Sequence, residues 1–215
     1  MQRSIEVDKL LHGQQRRDQS IVLDGAVELD RYLIAAPRIL WILREPHGAG
    51  PWDLRKFFRE RLFWKATAGL LIKVSHGLLN GCKPWSDWAN DPRSIADCLR
   101  DVAIINVNKR GGDSRVNWKR LHLARLEFGE IICQQVAALA PQIVILGGTW
   151  SILPDRLKTK LSDLDSSDSN CACVGGTIYV RAYHPNQTKI THKAYYNCIR
   201  DCAAKICAPS SPKDA

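Results

Sequence analysis

Apolar residues along this chain follow two rhythms. Three short runs, Ile39-Leu-Trp-Ile-Leu43, Val102-Ala-Ile-Ile-Asn-Val107 and Gln142-Ile-Val-Ile-Leu-Gly147, have strand length and little polar alternation. Such runs predict strands buried on both faces, as in the middle of a parallel sheet. Val174 and the segment 177–182, around a Gly175-Gly176 turn, read as further strands. Between these runs apolar residues recur at helical spacing. The spacing predicts a short amphipathic helix within 20–36 ahead of Pro37, and one or two helices over 53–79. It also predicts a helix over 92–100 entered through Asp91-Pro92, one over 119–139 ended by Pro141, a weak one after Trp150 and a closing one over 191–207. Residues 1–19 are polar and read as a loose arm or a short helix, and 208–215 as a polar tail. Strands and helices alternate, which predicts an α/β sandwich with a mainly parallel sheet, built as one domain over 1–215.

Composition narrows the picture. The chain has 215 residues, 45% of them hydrophobic and 25% charged, which is ample for one core. No apolar run has membrane-spanning length and the first residues lack an apolar leader, so a soluble, cytoplasmic protein without a membrane partner is expected. Lysine plus arginine number 31 against 22 acidic residues, a net charge of +9 that favours polyanionic partners. The eight cysteines contain no CxxC pair, so zinc-finger spacing is absent. Cys198 and Cys202, one helical turn apart, read as small core residues; Cys171 and Cys173 form the tightest pair.

Candidate chemistry gathers after three of the strands. The first is followed by Arg44-Glu-Pro-His-Gly-Ala-Gly-Pro-Trp-Asp53, with a carboxylate at Glu45 and an imidazole at His47. The second ends at Asn106 and continues into Asn108-Lys-Arg-Gly-Gly-Asp-Ser-Arg115. The segment 177–182 leads into Tyr183-His-Pro-Asn-Gln187. Ligand sites of open α/β sheets lie at the carboxyl ends of strands, so parallel, neighbouring strands would bring these loops to one edge.

Four segments in this order resemble the uracil-DNA glycosylase superfamily. They are Ile42-Leu-Arg-Glu-Pro-His-Gly48, Ile105-Asn-Val-Asn-Lys109, Ile143-Val-Ile-Leu-Gly147 and Tyr183-His-Pro-Asn186. The resemblance implies a three-layer α/β/α sandwich and hydrolysis of the bond between a base and its deoxyribose, in DNA repair or in restriction of phage DNA carrying modified bases. DNA is the implied partner; no cofactor, metal, iron–sulfur cluster or obligatory protein partner is expected. A glycosylase extrudes its target nucleotide and reads the base in a pocket. Asn106, offering a donor and an acceptor, suits the pyrimidine edge, and Trp52 and Phe57 are candidates to stack on it. Glu45 would stabilise the sugar cation and handle water, and His184 would stabilise charge on the departing base. His47 stands where the family's first motif has glycine, which makes it a rival to Glu45. Lys109, Arg110, Arg115 and Lys189 are phosphate candidates, and Asn186 and Gln187 belong to the segment that in the family enters the minor groove. Trp52, Trp85 and Trp88 read as a structural cluster or as the wall of a pocket for a larger, modified pyrimidine.

Two competing readings use the same residues. One is a catalytically silent binder of single-stranded or damaged DNA. The other is a nucleotide site at Gly147-Gly-Thr149, although no complete phosphate-binding glycine motif accompanies it.

Overall fold

A computed structural model describes residues 2–48, 50–60, 67–113, 115–165 and 170–207; the expected polar tail and the segment 61–66 of the expected second helix lie outside them. The strands are β1 (Gly25–Ala26), β2 (Ile39–Leu43), β3 (Ala103–Asn106), β4 (Ile143–Gly147), β5 (Cys171–Val174) and β6 (Thr177–Ala182). They form one mixed sheet in the order β1-β3-β2-β4-β6-β5. The central pairs β3-β2, β2-β4 and β4-β6 are parallel, and the edge strands β1 and β5 are antiparallel to their neighbours. Every residue of β2, β3 and β4 is buried, as their uninterrupted apolar runs require.

The helices are α1 (Gln2–Arg17), α2 (Leu29–Ile34), α3 (Leu54–Glu60), α4 (Thr67–Leu79), α5 (Trp118–Leu139), α6 (Asp155–Thr159) and α7 (His192–Cys207). Side chains alternate across the sheet. Leu40, Ile42 and Ile105 pack with Val7 and Leu11 of α1 and with Leu121, Phe128 and Ile132 of α5. Ile39, Trp41, Leu43 and Ile104 pack on the other face with Phe58 of α3, Leu71 of α4 and Tyr196 of α7. The α/β class and mainly parallel sheet agree with the sequence reading, and helices on both faces are compatible with a three-layer α/β/α fold. Among the described residues no helix is long and apolar enough to cross a membrane.

Of the two forms expected for residues 1–19, the helix is the one found: α1 occupies most of them, because Val7 and Leu11 give it an apolar stripe to bury. Two segments depart from their expected form. Much of the helix expected within 20–36 is extended instead. Ile21 bridges Arg110, Leu23 bridges Asp53, and β1 pairs with β3, leaving only α2 helical. Asp24 and Gly25 decide this: the Asp24 carboxylate is drawn into a buried network, and Gly25 holds φ at 138°, where a side chain is disfavoured. The expected helix over 92–100 is reduced to a 3₁₀ segment, Ala96–Asp101. Before it, Asp91 accepts from the Arg93 amide and Ser94 donates to the Asp91 carbonyl, local bonds that compete with a helical start.

Candidate active site

The four parallel strands end together, with Leu43 opposite Asn106 and Gly147 opposite Ala182. The loops that follow β2 and β3 continue the sheet beyond its edge. Val107 N–H donates to Leu43 O, Asn108 N–H to Arg44 O, Gly112 N–H to Pro46 O, and Gly48 N–H to Gly112 O. Glu45 is thereby held on a ladder, although it lies in a loop by sequence. Its side chain is 9% exposed, and a single oxygen, Oε2, accepts from Asn108 Nδ2 at 3.1 Å and from Arg120 Nη2 at 2.9 Å. Gly112 lies against the same carboxylate so closely that a Cβ there would overlap Glu45 Cδ.

Asn106 is 1% exposed, and among the described residues neither atom of its side-chain amide has a hydrogen-bond partner. Its backbone is fixed, because its N–H donates to Asp24 Oδ2 at 2.7 Å. A buried amide with donor and acceptor both unmet carries a penalty of roughly 1–3 kcal/mol. A ligand edge offering one acceptor and one donor would remove that penalty.

His184 follows β6, which β4 separates from β2. Its Nδ1 accepts from the Asn186 N–H at 3.2 Å, so in the neutral ring the proton resides on Nε2. Burial, with help from the nearby Arg44 guanidinium, pulls its pKa down to about 4. His184 is therefore a neutral donor at pH 7. Gly148, at φ 71°, makes room here: a Cβ would stand 3.0 Å from Arg44 Nη2 and 3.1 Å from the His184 backbone.

The depressed His184 pKa has a measurable consequence. Below pH 6.5 the unfolded chain protonates this ring before the folded chain does, so stability falls as the pH drops from 6.5 towards 4. His184→Gln removes that part of the acid sensitivity. Urea unfolding across this pH window checks it; equal acid slopes in the two proteins would refute the assignment.

The other sequence candidates separate. Trp52 and Phe57 are half-buried and meet edge to face at 5.9 Å, with Phe57 also against Phe58. They flank the layer towards which Asn106 points by strand alternation, two residues after Ile104. His47 is exposed, and its backbone bridges Gly112. Arg115, Asn186 and Lys189 are exposed, with Lys189 over the Tyr183 ring. Gln187 braces its own turn, its Oε1 accepting from the Lys189 and Ile190 amides. Trp85 and Trp88 pack on each other and on Tyr196 at 5.7 Å, forming a seam on α7. That is the structural alternative for these two rings.

One phosphate candidate is corrected, and a second is already engaged in ion pairs. Lys109 is fully buried, with Nζ 2.9 Å from both Asp24 oxygens and 2.7 Å from Gln135 Oε1, so it cannot reach a phosphate. Arg110 is paired with Asp18 and Glu127 and thereby ties the end of α1 to α5. Breaking a buried pair from one side leaves an uncompensated charge. Lys109→Met should therefore cost about 3–5 kcal/mol in urea unfolding. Unchanged stability would return Lys109 to the surface candidates.

Gly147-Gly148-Thr149 does not form a phosphate cradle. The Gly148 amide is already bonded to Leu146 O and Ala182 O, and Thr149 Oγ1 is bonded to Ile42 O.

Sequence reasoning assigned no role to Arg44, Asn108, Gly112, Trp118 or Arg120. Asn108 carried a weak signal, two residues past Asn106 in a loop already singled out. Arg120 lies 75 residues from Glu45 and carried none. Comparison with protein-family models and with curated proteins gave no match.

Proposed function

We propose that this chain is a DNA glycosylase that hydrolyses the bond between a flipped-out pyrimidine, uracil or a modified base, and its deoxyribose, leaving an abasic site. The observation that carries the reading is the Asn106 amide, buried, unpartnered and fixed at the strand end beside the anchored Glu45. The four-segment resemblance to the uracil-DNA glycosylase superfamily supports it, as does the α/β fold. The same chemistry serves repair and restriction of phage DNA with modified bases.

In this reading Asn106 meets the pyrimidine edge, with Trp52 and Phe57 at the flank of the pocket. The glycosidic bond breaks and its electron pair leaves with the base, while positive charge develops on the sugar. The Glu45 carboxylate stabilises that charge and takes a proton from the water whose oxygen bonds to the sugar carbon. Neutral His184 donates from Nε2 to the oxygen on which the base's negative charge collects. Glu45, rather than His47, takes the water, because it is the group held at the strand end.

The test is incubation with labelled oligonucleotides containing uracil, hypoxanthine, hydroxymethylcytosine or glucosylated hydroxymethylcytosine, followed by alkali. The reading expects strand breaks on at least one pyrimidine substrate. No breaks on any of them, with salt-sensitive binding retained, would leave a catalytically silent DNA binder.

A further inference from the structure

One arginine at the site feels the carboxylate of its neighbour, Glu45, only through space. Arg44 directly precedes Glu45, yet among the described residues it forms no ion pair, and its Nε is buried without a partner. Strand alternation sends it to the α5 side of the sheet, two residues after Ile42 and opposite to the Asn106 side. There its Cζ lies 5.6 Å from the centre of the Trp118 ring. Trp118 opens α5 and remains 48% exposed, although Arg44 covers one side of it. Exposed Arg115 and Lys119 flank it.

An exposed indole beside a guanidinium that makes no ion pair among the described residues matches one nucleotide: the ring takes the face of a base and the cation takes a phosphate. We propose that Arg44 and Trp118 form a strand-holding platform on the α5 flank of the site, bordering His184, where Trp118 stacks on the nucleotide next to the extruded one and Arg44 holds its phosphate. The proposal rests on the glycosylase reading for its choice of nucleotide. It needs only DNA binding for its test. It also divides the aromatic labour: Trp52 and Phe57, already packed edge to face, line the pocket, and the exposed ring meets the strand.

The experiment is anisotropy with a short fluorescein-labelled single-stranded oligonucleotide over a range of salt concentrations, alongside the excision assay. Trp118→Ala weakens binding about tenfold, as expected for one stacked base, and Trp118→Phe stays within about twofold of the unaltered protein. Arg44→Gln lowers the slope of log affinity against log salt by about 0.7, one phosphate on a single strand, and Arg44→Lys retains it. Thermal melts of all four variants exclude unfolding as the cause. Unaltered protein that excises while Trp118→Ala and Arg44→Gln bind normally overturns the platform alone. The expected losses without any excision uphold the platform and overturn the glycosylase. Neither binding nor excision overturns both. Polyglutamate that displaces the oligonucleotide at equal charge concentration overturns the choice of a nucleic acid.

Discussion

In the proposed glycosylase, Glu45→Gln is expected to lower the rate of base excision by about a thousandfold, within the range for loss of a general base, and to leave DNA affinity nearly unchanged. The substitution is close to isosteric, so the contact with Gly112 survives. What disappears is the charge that Arg120 and Asn108 hold on one oxygen. The departing base leaves a cationic sugar, and a neutral amide can neither stabilise it nor accept a proton from water. Gly112→Ala is the companion variant, because any Cβ at that position displaces the carboxylate. It should lose excision to a similar degree while Glu45 itself remains. Single-turnover excision with saturating enzyme separates this loss from weakened binding. Near-normal rates in both variants would remove Glu45 from the chemistry and return His47 to consideration.

Asn106→Leu moves stability and activity in opposite directions. Leucine has the same number and branching of side-chain heavy atoms as asparagine and no polar atoms to satisfy, and the unaltered amide is buried with none of its hydrogen bonds made among the described residues. Removing it should raise unfolding stability in urea by about 1–2 kcal/mol. Excision should fall by about 10⁴-fold, as in sites built to pair with a substrate's polar edge. A residue that served only the fold would show a stability loss, or no change in excision. Stabilisation together with lost excision identifies a group kept unsatisfied for a ligand.

The core strands were legible because burial on both faces writes a continuous apolar run: Ile39–Leu43 has the expected limits, and Ile143–Gly147 begins one residue after the expected start. The segment before Pro37 was misread because its apolar spacing fits a helix, while the decisive interactions are tertiary. Asp24 answers Lys109, 85 residues away, and no window of sequence contains both. The same limit applies at the site. Asn106, Glu45 and His184 announced themselves by residue type at strand ends. Lys109 was misassigned because a lysine in a glycine-rich loop reads as a surface charge until its buried partner is seen. Arg120 and Trp118 sit at the start of a helix whose pattern predicts only packing.

The backbone ladder between the segments 44–48 and 107–112 ties their lengths together. An extra residue in either one would slip the register that seats Gly112 beneath Glu45. The two loops cannot diversify independently, and substrate range has to be retuned elsewhere. The free variables are the exposed turn after His184 and the entry to α5, which carry side chains without carrying the register. A library confined to 115–119 and 186–190 should yield altered preferences in folded, active proteins, whereas length changes in 44–48 should yield inactive ones.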